Sequence, residues 1–404
     1  CFPSLPALLR TLTSMCWIFG PTDWLTPRAS RCRRSAFRLA REAESMGISL
    51  AANAGREQTA LLADCPRSSL EGAVELLCDA AVRPRIEQWR VDAEVVRLKA
   101  TWEALLQDPQ SYTLEAASTV AFDGALGAPL VPSKRDLEHG ALAEEVEAWH
   151  AATFRAGSVV LAVSGAEVEE VAHVAGELLA ELPEGEAPAP PSSYKGGYHC
   201  ESMGGDGLAH ALLAYEFKGG WRDVRGSVAA TVLQMLMGGG GSFSSGGPGK
   251  GMHSRLYRRV LNNCPWVANC TAVSSLYNDT GLVGVFGSAE PSRADELVGL
   301  MSKELEAVAN GGVTEEELAR AKNSAAASIQ MNLESKAIVC EDVGRQLLTY
   351  GQRTGGEEFV AEVHKVTKAD VEKVVKDMLK SAPTFVASGE VSQMPSYETL
   401  ARRG

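Results

Sequence analysis

The sequence predicts an α+β fold of two homologous domains, each an antiparallel sheet with helices packed on one face. Three observations carry this. Strand-like stretches come in consecutive pairs. Helix patterns are grouped after them. The whole series then returns at an offset of about 218 to 225 residues.

In the first half, "ISLAANAG" and "EQTALLADC" alternate like strands. Ser68 and Glu71 then spell a capping box, and Leu70, Ala73, Val74, Leu77 and Ala81 fall on one helix face. A second helix is expected from about Glu87 to Leu106. In the second half, "WVANCTAVSSL" and "GLVGVFGSA" are the strand pair. Ser292 with Asp295 signals a cap, Leu297, Met301, Leu305 and Val308 form the apolar stripe, and Gly311 and Gly312 stop the helix. Thr314 with Glu317 caps the next helix, which carries "ARAKN" where the first half has "VRLKA". "AEEVEAW" matches "KADVEKV", "VVLAVSG" matches "PTFVASG", and "RSAFRLAREAESMG" matches "MHSRLYRRVLNNC". Matches that keep their order argue for duplication of a whole domain. The expected boundaries are a divergent segment at 1–33, a truncated N-terminal domain at 34–180, a proline-rich linker at 181–205 and a C-terminal domain at 206–404.

Composition narrows the function. The 404-residue chain carries a formal charge of −12, which disfavours nucleic acid and favours a basic partner. No apolar run approaches the roughly 18 to 20 residues of a membrane span. The nine cysteines are odd in number and include no C-x-x-C, which suggests reduced thiols. The opening, up to Arg41, is rich in arginine and has Asp23 as its one acid. That fits a transit peptide. A mistranslated or disordered start is the reading preferred here, because prolines and tryptophans before Arg28 interrupt an amphipathic helix.

The most unusual stretch is the glycine-rich run from Gly238 to Gly251, with eight glycines. It is not a Walker A loop: Ser244 stands where the first glycine belongs, and Gly251 replaces the hydroxyl residue after Lys250. Phe243 and Pro248 interrupt it, and a helix is expected directly after it. A run of this kind is either an unstructured surface loop or an adaptable element over a cavity.

The segment Leu236–Asn262, with "GGGGSFSSGGPGKGM" followed by "SRLY" and "VLN", closely resembles the glycine-rich loop of the α-subunit family of mitochondrial processing peptidases. "RSAFRLAREAE" with "REQ", and "CEDVGRQLL", resemble the same family, so that the likeness spans roughly residues 33–404. The resemblance implies the M16 metallopeptidase-like fold of two related domains. It also implies substrate contact at Gly238, Gly239, Gly240, Gly241, Ser242, Phe243, Gly246, Gly247, Gly249, Lys250 and Gly251.

Active members of that superfamily carry H-x-x-E-H, in which two imidazoles and a later glutamate leave zinc an open position for water. None of the seven histidines here (His139, His150, His173, His199, His210, His253, His364) begins that motif. The segment near Leu5–Phe19 takes the place of the motif helix by offset, so the first sheet is expected to lack part of its usual frame. Glu94 and Glu103 read as a solvated helix face. Ser164 reads as a strand end, and Cys65, Cys264, Cys270 and Cys340 as buried small residues. His150 and His173 fall on helices, away from any ligand set. Arg345 and Tyr350 resemble a paired position that helps bind substrate in active members, with packing as the equal alternative.

The resemblance therefore implies a non-catalytic subunit with no cofactor of its own. It would pair with a zinc-bearing β subunit, act on Arg-rich presequences of imported precursors, and reside in the mitochondrial matrix or against the inner membrane. The alternative it allows is a structural core subunit of respiratory complex III, in contact with other complex III subunits.

Overall fold

The computed structural model describes residues 12–19, 34–138, 140–189, 191–241 and 252–401. In chain order the first elements are β1 (Leu12–Phe19), α1 (Ala36–Met46), β2 (Ser49–Ala54), β3 (Thr59–Pro66), α2 (Leu70–Val82), α3 (Gln88–Leu106) and α4 (Pro109–Ala121). Next come β4 (Phe122–Asp123), α5 (Ala143–Thr153), β5 (Val159–Ser164), α6 (Val168–Leu179), β6 (Ser193–Tyr194), β7 (Gly197–Ser202) and β8 (Ala209–Glu216). They are followed by α7 (Val224–Met237), β9 (Gly239–Gly241), a π-helical turn (Tyr257–Leu261), β10 (Val267–Leu276) and β11 (Gly281–Ala289). The remaining elements are α8 (Ala294–Ala309), α9 (Glu315–Leu333), α10 (Lys336–Tyr350), α11 (Gly356–Lys365), α12 (Lys368–Met378), β12 (Thr384–Gly389) and α13 (Tyr397–Ala401).

These elements form two compact units. The first comprises Cys1–Ala100, Leu130–Pro190 and Met331–Thr354; the second comprises Thr101–Pro129, Pro191–Gln330 and Gly355–Gly404. The units are thus not the consecutive stretches 34–180 and 206–404 that the repeat suggests. Each borrows one helix from the other half of the chain: α10 belongs to the first unit and α4 to the second.

The first unit holds a four-stranded sheet in the order β2-β3-β1-β5, antiparallel throughout. Period-two alternation sorts its side chains. Leu61, Ala63 and Cys65 of β3 pack with Leu70, Val74 and Leu77 of α2 and Val171 of α6. Ala60 and Ala162 point the other way and meet Cys340 of α10, whose thiol donates to the Ala162 carbonyl at 3.1 Å. Arg34 ties α1 to α2 through ion pairs with Glu42, Glu75 and Asp79. Gly47 ends α1 at φ 67, the left-handed conformation that closes a helix without strain only when no Cβ is present.

The second unit holds a six-stranded sheet in the order β7-β12-β8-β11-β10-β9. It is antiparallel except for the β7–β12 pair. Leu213, Tyr215, Val283, Val285 and Phe385 pack with residues of α7, α8 and α12, such as Leu233, Leu297, Met301 and Val375. Leu212, Ala214, Phe286 and Val386 lie on the opposite face, against Ala117 and Ala121 of α4. The α+β class with repeated units is therefore the one the sequence predicts. The refinement is a single helix on the second face of each sheet, where the sequence suggested helices on one face alone.

The duplication is visible in the sheets themselves. The order β2-β3-β1-β5 in the first unit corresponds to β10-β11-β8-β12 in the second, strand for strand. This corrects two expectations. Leu12–Phe19, assigned by offset to a helix position, is a strand between β3 and β5, so it fills the frame that looked incomplete. The linker expected at 181–205 contains β7, because Gly197–Ser202 finds a parallel partner in β12. One difference between the repeats remains. Residues 20–35 separate β1 from α1, whereas residues 217–256 separate β8 from the π-helical turn. Among the described residues, the first unit has no counterpart of α7.

Candidate functional site

The glycine-rich run departs from α7, which forms because Asp223 accepts a hydrogen bond from Gly226 N–H and an apolar sequence follows. Val228, Ala229, Val232, Leu233, Leu236 and Met237 are buried, so the helix end is fixed in the core. Gly238 leaves it at φ 55, with its N–H still bonded to the Gln234 carbonyl at 2.7 Å. Gly239, Gly240 and Gly241 then form β9 at the sheet edge, opposite Thr271, Cys270 and Asn269. The Gly238 carbonyl accepts from Ala272 N–H at 2.8 Å.

These four glycines are the part of the candidate site that the structure describes. Ser242, Phe243, Gly246, Gly247, Gly249, Lys250 and Gly251 lie outside the described residues. The chain resumes at Met252, and the helix expected there is a π-helical turn of five residues, shorter than its sequence counterpart α1.

Ser254 and Arg255 stand at this re-entry, and sequence reasoning gave neither a role. Ser254 Oγ accepts from Gly239 N–H at 3.0 Å. The Arg255 side chain is fully buried. Its Nε donates to Glu304 Oε2 at 2.8 Å, and its Nη1 donates to the Gly312 carbonyl at 2.9 Å and to Glu317 Oε2 at 3.4 Å. Arg259 reaches the same two carboxylates at 3.7 and 3.6 Å. The available signal was position: both residues lie within four positions of the end of the run. Glu317 was legible only as the capping partner of Thr314, a bond the structure contains at 3.1 Å. Beside this anchor is a hollow of about 160 Å³ lined by Met235, Leu236, His253, Ser254, Glu317, Arg320, Ala321 and Ser324.

Among the described residues, no group of three His, Cys, Asp or Glu side chains is placed to hold an ion. The histidines are dispersed and used locally. His150 is buried, stacks on Phe154 with ring centroids 4.1 Å apart, and donates from Nε2 to the Ala81 carbonyl at 2.9 Å. His210 lies between Ser288 Oγ at 2.8 Å and Asp206 Oδ1 at 3.1 Å. His199 meets the Tyr112 hydroxyl at 3.1 Å, and that hydroxyl donates to Glu201 at 2.9 Å. Burial and the Glu201 carboxylate push the Tyr112 phenol well above its usual range. His173, His253 and His364 are exposed, and His139 lies outside the described residues.

The other sequence candidates fall in place separately. Glu94 is paired with Arg97 at 2.9 Å, and Glu103 is exposed on the same helix, α3. Ser164 ends β5. Cys65, Cys270 and Cys340 are buried, while Cys264 is partly exposed. Burial pushes the Cys65 thiol up to about 11 and the Cys270 thiol up to about 12, so neither is a ready nucleophile. Arg345 and Tyr350 lie on α10, where Arg345 pairs with Asp342 at 2.9 Å.

A duplicated α+β unit with a glycine-rich edge strand defines the class. The chain belongs to peptidase family M16: residues 29–133 match "Insulinase (Peptidase family M16)" and residues 141–325 match "Peptidase M16 inactive domain". Within it, the chain belongs to the α-subunit family of mitochondrial processing peptidases. It is 40% identical over 392 residues to the probable subunit alpha-1 of Arabidopsis thaliana, covering 96% of this chain and 77% of that one. It is 38% identical over 390 residues to the subunit alpha of Solanum tuberosum, covering 95% and 77%. A shorter match to the human subunit alpha has 43% identity over 169 residues, covering 42% and 32%. A chain of the solved complex III2 of Candida albicans shares the fold, with a TM-score of 0.79 over 97% of this chain and 94% of that one, at 19% identity.

Proposed function

We propose that this chain is the non-catalytic, substrate-recognition subunit of a mitochondrial processing peptidase, working with a zinc-bearing β subunit in the matrix. The observation that carries the reading is the likeness to α subunits along nearly the whole chain, 40% identity over 96% of it. The residues present do not suit a zinc of their own, since H-x-x-E-H is absent from the sequence and no three ligating side chains converge among the described residues. No step of peptide hydrolysis is therefore assigned to this chain. Its part is binding. The net charge of −12 draws Arg-rich presequences over a distance of about one Debye length, and the run from Gly238 to Gly251 contacts them. Glycines suit a site that must accept many sequences in turn. Zinc and its water belong to the β subunit.

The test is reconstitution with a β subunit. Deleting residues 242–249 should leave pairing and the zinc content of the β subunit intact while precursor affinity and cleavage fall sharply. Normal affinity in the correctly paired deletion variant would reject the role of the run. The purified chain alone should retain no stoichiometric zinc after dialysis, measured by atomic emission. One tightly held zinc per chain would reject the non-catalytic assignment. The fold likeness to a complex III chain favours a second reading, a core subunit of that complex. Fractionation separates the two: co-purification with cytochromes supports the core role, and matrix-soluble material supports the peptidase.

A further inference from the structure

Residues 365–380 run against the acidic trend of the chain: they hold five lysines and three acids, where the whole carries −12. They span α12 and its exit. With the end of β8 and the start of α7, this segment borders a cleft of about 620 Å³ in the second unit. We propose that the cleft binds an acidic peptide segment with apolar side chains, through Lys218, Lys373 and Lys380 at one end and an apolar floor beside them. The cleft lies at the opposite end of α7 from Gly238, and its charge preference is the reverse of that expected for presequences.

The acids along the cleft are already engaged. Asp223 accepts from Gly226 N–H at 3.0 Å as the cap of α7. Asp370 accepts from Thr367 N–H at 2.9 Å and from Arg225 Nη2 at 2.8 Å. Glu216 accepts from Thr280 Oγ1 at 3.5 Å. Asp377 accepts from Lys380 Nζ at 2.6 Å. The cations are not all used. Lys218 and Lys373 are exposed and make no hydrogen bond or ion pair among the described residues. With Lys380 they surround the Asp377 carboxyl: the Lys380 hydrogen bond, then the charges of Lys373 and Lys218, hold it below its ordinary value. Three ammonium groups thus attend one carboxylate. Asp377 displays the chemistry that this end of the cleft accepts, and the surplus of positive charge has room for more of it.

The floor selects a peptide over a small anion. Phe217, Ala229, Val374 and Met378 are buried and close the bottom of the cleft. Its volume falls among ligand sites, which run from roughly 300 to 1,000 Å³. A free phosphate would use the lysine end alone, leave the floor wet, and meet Glu216, Asp223 and Asp370 along the same walls. A segment that alternates carboxylates with apolar side chains uses both features. Its carboxylates face Lys218 and Lys373, and its apolar side chains cover Phe217 and Met378. Exposed ion pairs contribute little singly, so the floor supplies most of the affinity and the lysines decide the sign of the partner. An Arg-rich segment meets the same three lysines and is repelled.

The experiment is calorimetric titration of the purified full chain with the capped pentapeptide Glu-Leu-Glu-Leu-Glu. Capped Lys-Leu-Lys-Leu-Lys, capped Glu-Ser-Glu-Ser-Glu and inorganic phosphate are the comparison probes. The acidic apolar peptide should bind one to one, and its serine counterpart about tenfold more weakly, because the floor stays uncovered. The basic peptide should not bind. Lys218→Gln combined with Lys373→Gln should weaken the acidic peptide about tenfold, the joint effect of two exposed ion pairs. Asp377→Asn should act the other way and tighten it about threefold, since the internal carboxylate no longer shares the lysines. Lys218, Lys373 and Asp377 are exposed, so the fold does not depend on them. An Asp377→Asn variant that binds more weakly would overturn the proposal, as would unchanged affinity in the double lysine variant or equal binding of the basic peptide. Phosphate that displaces the peptide at equal concentration would replace the peptide site with a small-anion site. No heat with any probe would reject the cleft as a binding surface and leave the role of the glycine-rich run untouched.

Discussion

Gly239 and Gly241 sit two residues apart in β9 and answer to different constraints. Gly239 has φ 107 and no space for a methyl group beside the Cys270 carbonyl. Gly241 has neither restriction. Gly239→Ala is therefore expected to destabilise the chain by about 1–3 kcal/mol, the range for a backbone forced from its required conformation. Gly241→Ala should stay within about 0.5 kcal/mol of the parent. Urea denaturation of the two variants side by side checks this, and equal effects would contradict the division. The sequence displayed all the glycines alike. Which of them packing demands depends on Cys270 and Ser254, residues 31 and 15 positions away, and no local pattern reports such contacts.

At the level of elements, helix starts were the most legible feature where one side chain sets them. Thr314 and Glu317 cap α9 reciprocally, as their spacing predicts. The boxes read at Ser68–Glu71 and Ser292–Asp295 are different, because a 3-10 turn precedes each helix and takes over the start. The capping bond is absent at both N-caps, Ser69 and Arg293. Thr367 is a sharper case: it exchanges hydrogen bonds with Asp370 at the start of α12, next to the core strand β12. Thr367→Ala should cost about 1 kcal/mol, read by thermal unfolding at neutral pH. The Thr367 hydroxyl also holds the Asp370 carboxyl below its ordinary value. A depressed folded value means the stabilisation is present above the unfolded pKa of 3.8 and is lost as pH falls through the folded value. The difference between parent and Thr367→Ala should therefore shrink below about pH 4. A constant difference down to pH 2 would contradict this assignment.

For the whole molecule, the repeat was legible as matched strings, and the sheets reproduce it strand for strand. The exchange of α4 and α10 was not. Both helices occupy matching places in the repeat, and their sequences carry no mark of which sheet they join. Membership is decided by surfaces such as Ala60 and Ala162 for Cys340, and Leu212 and Val386 for Ala117. Expressed alone, residues 1–190 should consequently lack native near-ultraviolet dichroism even though they span the strands of the first sheet. Adding the complementary fragment 191–404 should restore it, and a native spectrum from the first fragment alone would contradict the interleaved assignment. The same exchange orders events during synthesis. The strands of the first sheet are complete once Ser164 has been made, yet the helix for its second face ends at Tyr350. At about 5–20 residues per second, that face waits on the order of ten seconds or more in the nascent chain. During that interval the half-built unit exposes the face that Ala60 and Ala162 later give to Cys340, apolar surface of the kind that promotes aggregation of a nascent chain.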